Sequence, residues 1–192
     1  VTRESPTKMT FRGQGNPFSG EWKEQRLKVR AQSVVGAAVK DEKGAYHLAS
    51  AVIEGNVVAA ITETVKSGER ITELRATSID YNADQAVANL KGGVRIVSRT
   101  PAESQTLELK GNAASVKLPP IGTRSDWPIR SAEVVGGVTM RLASIERGEE
   151  PAKPRPVVVT GKADRIAFDD SARTITLSGN VELEGSDTII GA

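Results

Sequence analysis

From about Leu27 onward the chain runs in short stretches of alternating apolar and polar residues. Leu27-Lys28-Val29, Leu107-Glu108-Leu109, Ile175-Thr176-Leu177 and Val181-Glu182-Leu183 are the clearest. A period of two puts apolar side chains on one face of an extended strand and polar ones on the other. Turn-forming clusters separate the stretches, among them Asp41-Glu42-Lys43-Gly44, Asn82-Ala83-Asp84, Asp169-Asp170-Ser171 and Gly185-Ser186-Asp187. The 3.6-residue period of an amphipathic helix is sustained nowhere. The pattern predicts an all-β chain: an irregular arm over residues 1–26, pinned by Phe11, Phe18 and Trp22, then one β domain over residues 27–192. Two stretches, 119–128 and 147–156, read as loops because of their prolines and charges.

One segment recurs. Residues 76–96, ATSIDYNADQAVANLKGGVRI, lie over residues 163–183, ADRIAFDDSARTITLSGNVEL, without a gap. Ala76 meets Ala163, Ile79 meets Ile166, Tyr81 meets Phe168, Leu90 meets Leu177, Gly92 meets Gly179, Val94 meets Val181 and Ile96 meets Leu183. Weaker copies follow the same scheme. Ala31-Gln32-Ser33-Val34 opens like Ala76-Thr77-Ser78-Ile79, and Gly55-Asn56-Val57 closes like Gly179-Asn180-Val181. Leu109 to Val116 matches Val159 to Ile166 in spacing. The unit is strand, turn, strand, glycine kink, strand, and the Gly-Asn or Gly-Gly pair permits positive φ or a bulge at the kink.

Composition sharpens this picture. There are 20 Val, 12 Ile and 15 Thr against 10 Leu, the balance expected of pleated surfaces rather than helices. With no Cys and one His, disulfides, thiol catalysis and Cys-bearing zinc sites are excluded. A net charge of +2 and few aromatics give no case for nucleic acid as a partner. The carboxylate doublets Asp169-Asp170 and Glu149-Glu150 lie on turn-like sequence, and the Asp-x-Asp-x-Asp-Gly spacing of a calcium loop is missing. His47 has no motif partner for nucleophilic catalysis. Gly13 to Gly20 is glycine-rich, but no strand precedes it and Pro17 interrupts it, so it is not a phosphate loop. No enzyme, cofactor or metal is expected.

Residues 163–192, ADRIAFDDSARTITLSGNVELEGSDTIIGA, resemble the repeat of the OstA-like family, which includes the lipopolysaccharide-transport proteins LptA, LptC and the periplasmic domain of LptD. Its pattern is a small residue plus Asp, an apolar strand, an acidic turn, an alternating strand, then Gly-Asn-Val. Residues 76–94 keep the shape but carry Ala-Thr and Gly-Gly at the two defining places. The resemblance implies a slit β-jelly roll of two facing antiparallel sheets, a periplasmic location, and a groove sheltering the acyl chains of lipid A. It also implies edge-to-edge joining to other Lpt-type β-jelly-roll proteins or to a second copy.

In such a sandwich the apolar faces of the strands line the interior. That face carries Ile79, Tyr81, Leu90, Val94, Ile96, Ile166, Phe168, Ile175, Leu177, Val181 and Leu183, which form the expected ligand-binding groove. The same residues also suit a dry core, each worth about 1.5–3 kcal/mol on full burial. Ile190-Gly191-Ala192 has the register of Gly161-Lys162-Ala163, so a final strand offers an edge for head-to-tail pairing. The leading expectation is a non-enzymatic carrier of lipopolysaccharide or a related amphiphile. The alternative is a structural β-repeat module without ligand.

Overall fold

A computed structural model describes residues 8–22, 27–40, 44, 46–65, 68–118, 129–146, 155–169, 171–172, 174–185 and 189–191. Its strands are β1 (Lys8–Trp22), β2 (Leu27–Lys40), β3 (Tyr46–Val65), β4 (Gly68–Asn82), β5 (Val87–Thr100), β6 (Gln105–Lys117), β7 (Ser131–Glu146), β8 (Arg155–Asp169), β9 (Thr174–Ser178), β10 (Glu182–Gly185) and β11 (Ile189–Gly191). One 3₁₀ turn, Pro101–Glu103, joins β5 to β6. The chain is all-β, as the alternation predicts. All strands belong to one 11-stranded antiparallel sheet in the order β1-β2-β3-β4-β5-β6-β7-β8-β10-β11, with β9 paired to β8. The sheet does not close on itself.

The stretch expected to be an irregular arm is instead largely strand. Lys8–Trp22 pairs along β2, with a register shift between Gln14 and Phe18. Gly15-Asn16-Pro17 breaks the alternation there, and that break hid the strand from a period-two reading. Phe11, Phe18 and Trp22, expected to pin the arm, have side chains outside the description. Residues 119–128 and 147–154 lie outside the described residues, whereas Arg155 and Pro156, the end of the expected loop 147–156, are strand and pair with Glu146 and Ile145.

Nearly every long strand is interrupted once, and the interruptions line up across the sheet. On β3, β5 and β7 two successive residues with positive φ sit at the break: Gly55-Asn56, Gly92-Gly93 and Gly136-Gly137. Gly179-Asn180 is the same device between β9 and β10. Those two short strands pair with successive parts of β8, so they are the halves of one run broken at that point. The intervening strands answer with a single polar residue: Gln32 on β2, Thr77 on β4, Asn112 on β6 and Asp164 on β8. A Cβ on the leading glycine of each pair would stand 2.6 Å from Gln32 Cβ, 2.7 Å from Thr77 Cβ, 2.8 Å from Asn112 Cβ and 2.9 Å from Asp164 Cβ. Glycine is therefore required at that place twice over, by φ and by the facing side chain. Polar groups are satisfied at the break: Thr77 Oγ1 donates to the Gly92 carbonyl at 2.9 Å, and Asn180 Nδ2 donates to Asp164 Oδ2 at 2.9 Å.

The two kinds of strand count residues differently through the break. Inward positions step by four where the glycine pair lies, as in Leu90 to Val94 or Val134 to Val138. They step by three where the single polar residue lies, as in Ala31 to Val34, Ala76 to Ile79 and Ala163 to Ile166. Two extra residues keep the face and one changes it, so each register shift restores the same apolar face on both sides. That face forms one continuous core cluster running from Val29 on β2 to Ile166 on β8.

Candidate functional site: the apolar inner face

The inner face is small-grained. Ala31, Ala76 and Ala163 are buried beside the break, and Gly111 takes the same place on β6. A Cβ at Gly111 would stand 2.6 Å from Val134 Cγ1 and 2.9 Å from the Val135 carbonyl oxygen. Side chains from the far side of the break lean over this position, which leaves no room for a larger residue.

Expected groove residues fall into three groups. Ile79, Leu90, Val94, Ile96 and Ile166 come together in the core cluster, with Leu90 1% and Ile166 0% exposed. Tyr81, Leu177, Val181 and Leu183 are partly buried and pack against it. Burial raises the Tyr81 phenol above its ordinary pKa, so the ring is a neutral part of that wall. Phe168 and Ile175 form the third group: they pair directly across β8 and β9 but stand outside the cluster, Phe168 half-buried and Ile175 37% exposed. Ile175 shares the inward register yet is not packed there, because among the described residues β9 has a strand neighbour on one side only.

Several lining residues escaped the sequence reading. Leu109, Val116, Val134, Val138 and Met140 belong to the same cluster. Their signal was present: Val134-Val135-Gly136-Gly137-Val138 repeats the spacing of Leu90-Lys91-Gly92-Gly93-Val94. The match of Leu109–Val116 to Val159–Ile166 needs correction. Gly111 and Asn112 occupy the corner places of Ala163 and Asp164, so residues 109–116 correspond to 161–168. A slip of two residues keeps side chains on their faces except across the break, where it sets buried Ala114 over exposed Asp164, so alternation alone barely registers it.

The inner face is closed in the middle and open toward the β8–β10 end. Between β3 and β8, Val57, Leu90, Val116, Val134, Val138 and Ile166 are sealed, each at most 1% exposed. At β9 and β10 the same register carries Ile175, Leu177, Val181 and Leu183, none of them fully buried. Leu177 and Leu183 converge from the two sides of the break: a Cβ at Gly161 would lie 3.2 Å from the Cδ2 atom of each. At one end the strip borders charge: a cleft of about 490 Å³ is lined by Met140, Gly161 and Leu183 together with Lys110, Lys162, Glu182 and Glu184. Asp169 accepts from the Ser171 hydroxyl at 2.6 Å and from the Ala172 amide at 3.1 Å. These bonds, the hydroxyl's first, hold its carboxyl below the ordinary carboxylate range and close the β8–β9 turn. Its expected companion Asp170 lies outside the described residues. Among the described residues no group of three or more His, Cys, Asp or Glu gathers as a metal site.

What the strip can do chemically is bury apolar surface without polar readout. Its side chains are Leu, Val and Ile, with one Phe at the margin. No protein-family model matches the chain, and a search of curated proteins finds no match.

Proposed function

We propose that the protein is a non-enzymatic carrier that holds the acyl chains of lipopolysaccharide, or of a related amphiphile, against its apolar inner face. In this reading the sheet is folded along its line of breaks into two facing halves, a slit β-jelly roll of the OstA-like kind. It acts in the periplasm, passing lipid toward the outer membrane and pairing by its edge strands with Lpt-type proteins or with itself.

The bend is supported by Leu177 and Gly161. Leu177 pairs with Ile166, five residues from Gly161 along β8. In a flat sheet that offset is about 16 Å, beyond the reach of a leucine side chain. Their approach, 3.2 Å from Leu177 Cδ2 to a Cβ built at Gly161, supports a strand folded at its break. The observation that carries the carrier reading is the apolar strip left partly uncovered at the β8–β10 end, continuous with a core that contains no described charge. Flexible acyl tails are matched by such a surface, where burial alone drives association at roughly 25 cal/mol per Å². The pairing of β11 is consistent with an edge that continues the repeat: Gly161 and Ile190 flank Leu183, as Lys162 and Gly191 flank Glu182.

The test is capture of lipid A by photo-crosslinking, comparing wild type with Leu177→Asp and Leu183→Asp and with an outer-face control, Val52→Asp. Both inner variants lose capture while the control keeps it. Folded inner variants that still capture lipid would sink the reading. A second reading is supported by the sealed middle, where Leu90, Val116, Val134, Val138 and Ile166 fill the space themselves. On that reading the protein is a structural β-repeat module with a dry interior. It predicts no affinity for amphiphiles and assembly into fibres.

A further inference from the structure

β9 is an edge of the sheet that nothing in its own sequence blunts. Among the described residues it pairs with β8 on one side, and β11 fills the neighbouring slot only beside β10. Its five residues, Thr174-Ile175-Thr176-Leu177-Ser178, include no charge and no proline. Edge strands are ordinarily protected by Lys, by Pro or by a bulge, because their free amides and carbonyls are a template for another strand. β1, at the opposite edge, has all three: Lys8, Pro17 and a register shift between Gln14 and Phe18. On β9 only Leu177 is more than slightly covered, and Ile175 is 37% exposed.

We propose that β9 pairs with the β9 of a second copy, antiparallel, across a two-fold axis beside Thr176. In that register the strand is its own complement: Thr176 faces Thr176, Ile175 faces Leu177 and Thr174 faces Ser178. Directly opposed residues share a face, and Thr–Thr and Thr–Ser pairs are favourable cross-strand neighbours. A slip of one residue sets apolar side chains against polar ones. The axis also joins the inner faces of the two copies. One row then runs Ile166, Leu177, and from the second copy Ile175 and Phe168. Ile175 and Phe168 are the two expected groove residues that stand outside the core cluster of a single copy. On the outer face the matching row runs Arg165, Ser178, and from the second copy Thr174 and Asp169, with opposite charges at its ends. Five residue pairs make a small contact, so the dimer belongs with weak, concentration-dependent interfaces. Pairing about a two-fold closes at two copies, whereas joining β1 of one copy to the C-terminal edge of the next adds copies without end.

This pairing commits the edge association of the proposed function to one strand and one symmetry, and its readout, mass, is separate from lipid capture. The full chain without lipid is followed by sedimentation equilibrium over a range of concentrations. Wild type shows monomer and dimer and nothing larger. Thr176→Lys, at an exposed outward place, sets two like charges across the axis and weakens the dimer by about fivefold or more. An equal mixture of Thr176→Lys and Thr176→Glu returns association to within about twofold of wild type, since opposite charges then face each other. The chain has no Cys, so single cysteines report the register. With a short bismaleimide, Thr176→Cys gives crosslinked dimer. Thr174→Cys does not, because its two copies lie about 13 Å apart along the strands. Monomer at every concentration, or an open series of oligomers, would overturn the pairing. So would a dimer indifferent to Thr176→Lys, a mixture that fails to associate, or equal crosslinking at the two positions.

Discussion

The middle of the inner face and its β8–β10 end are built from the same repeat yet differ in how well they are covered. Leu90 on β5 and Leu177 on β9 occupy equivalent places, each facing the Ile of the neighbouring strand, Ile79 in one case and Ile166 in the other. Leu90 is sealed and Leu177 is half-buried. The side chain is the same and the local register is the same. Strand neighbours make the difference: β5 lies between β4 and β6, whereas among the described residues β9 pairs with β8 alone. A repeat can thus supply a core at its centre and an apolar surface at its end without any change in its own pattern.

The sharpest way to break the comparison is to truncate the two leucines. Leu90→Ala empties a sealed site and costs about 2–5 kcal/mol. Leu177→Ala removes a side chain that was still partly in water and costs roughly 1 kcal/mol. Urea unfolding midpoints read both, and equal losses would mean that the end is as closed as the middle.

Adding a methyl group makes the next largest contrast. At Gly111 a new Cβ meets Val134 Cγ1 at 2.6 Å and the Val135 carbonyl oxygen at 2.9 Å, and the latter is backbone. Gly111→Ala therefore costs about 1–3 kcal/mol. At Gly161 the nearest atoms are the mobile ends of Leu177, Leu183 and Met140, at 3.2–3.3 Å. They yield, so Gly161→Ala stays within about 1 kcal/mol of wild type. Thermal unfolding of the two variants separates a rigid corner from an adaptable one.

The smallest effect lies on the outside of the middle. Hydrogen bonds from Arg95 and Lys110 hold the Glu108 carboxyl below the ordinary carboxylate range, the Arg95 bond first. A depressed folded pKa stabilises the protein above the unfolded value and is lost as pH falls through the folded one. Wild type accordingly loses a small increment across and below the ordinary carboxylate range. Glu108→Gln lacks that part of the acid dependence and is at most about 1 kcal/mol less stable near neutrality. A stability–pH profile identical in the two proteins would show that the pair contributes nothing measurable.

Much of the fold was legible. Gly92 over Gly179 and Ala76 over Ala163 marked real breaks in register, and the Ala31 and Gly55 copies marked a third. What was not legible had specific causes. β1 was obscured because its own break includes Pro17. The Leu109–Val116 register slipped by two, a shift that alternation tolerates. The inward register of Ile175 was legible, but register says nothing of how far neighbouring strands cover a side chain, and Ile175 stays 37% exposed. The outer-face ion pairs were invisible for a different reason: partners such as Arg95 and Glu108, or Lys162 and Glu182, lie apart in sequence and meet only through strand pairing.

By itself, then, the sequence determined which side chains share a face and where most strands break register. Both are local properties, set by a period of two and by glycines that accept positive φ. The tertiary structure alone decided which of those apolar residues are sealed and which remain open, and which charges stand together. Burial and cross-strand adjacency depend on what lies beside a strand, and that is a property of the sheet, not of the repeat.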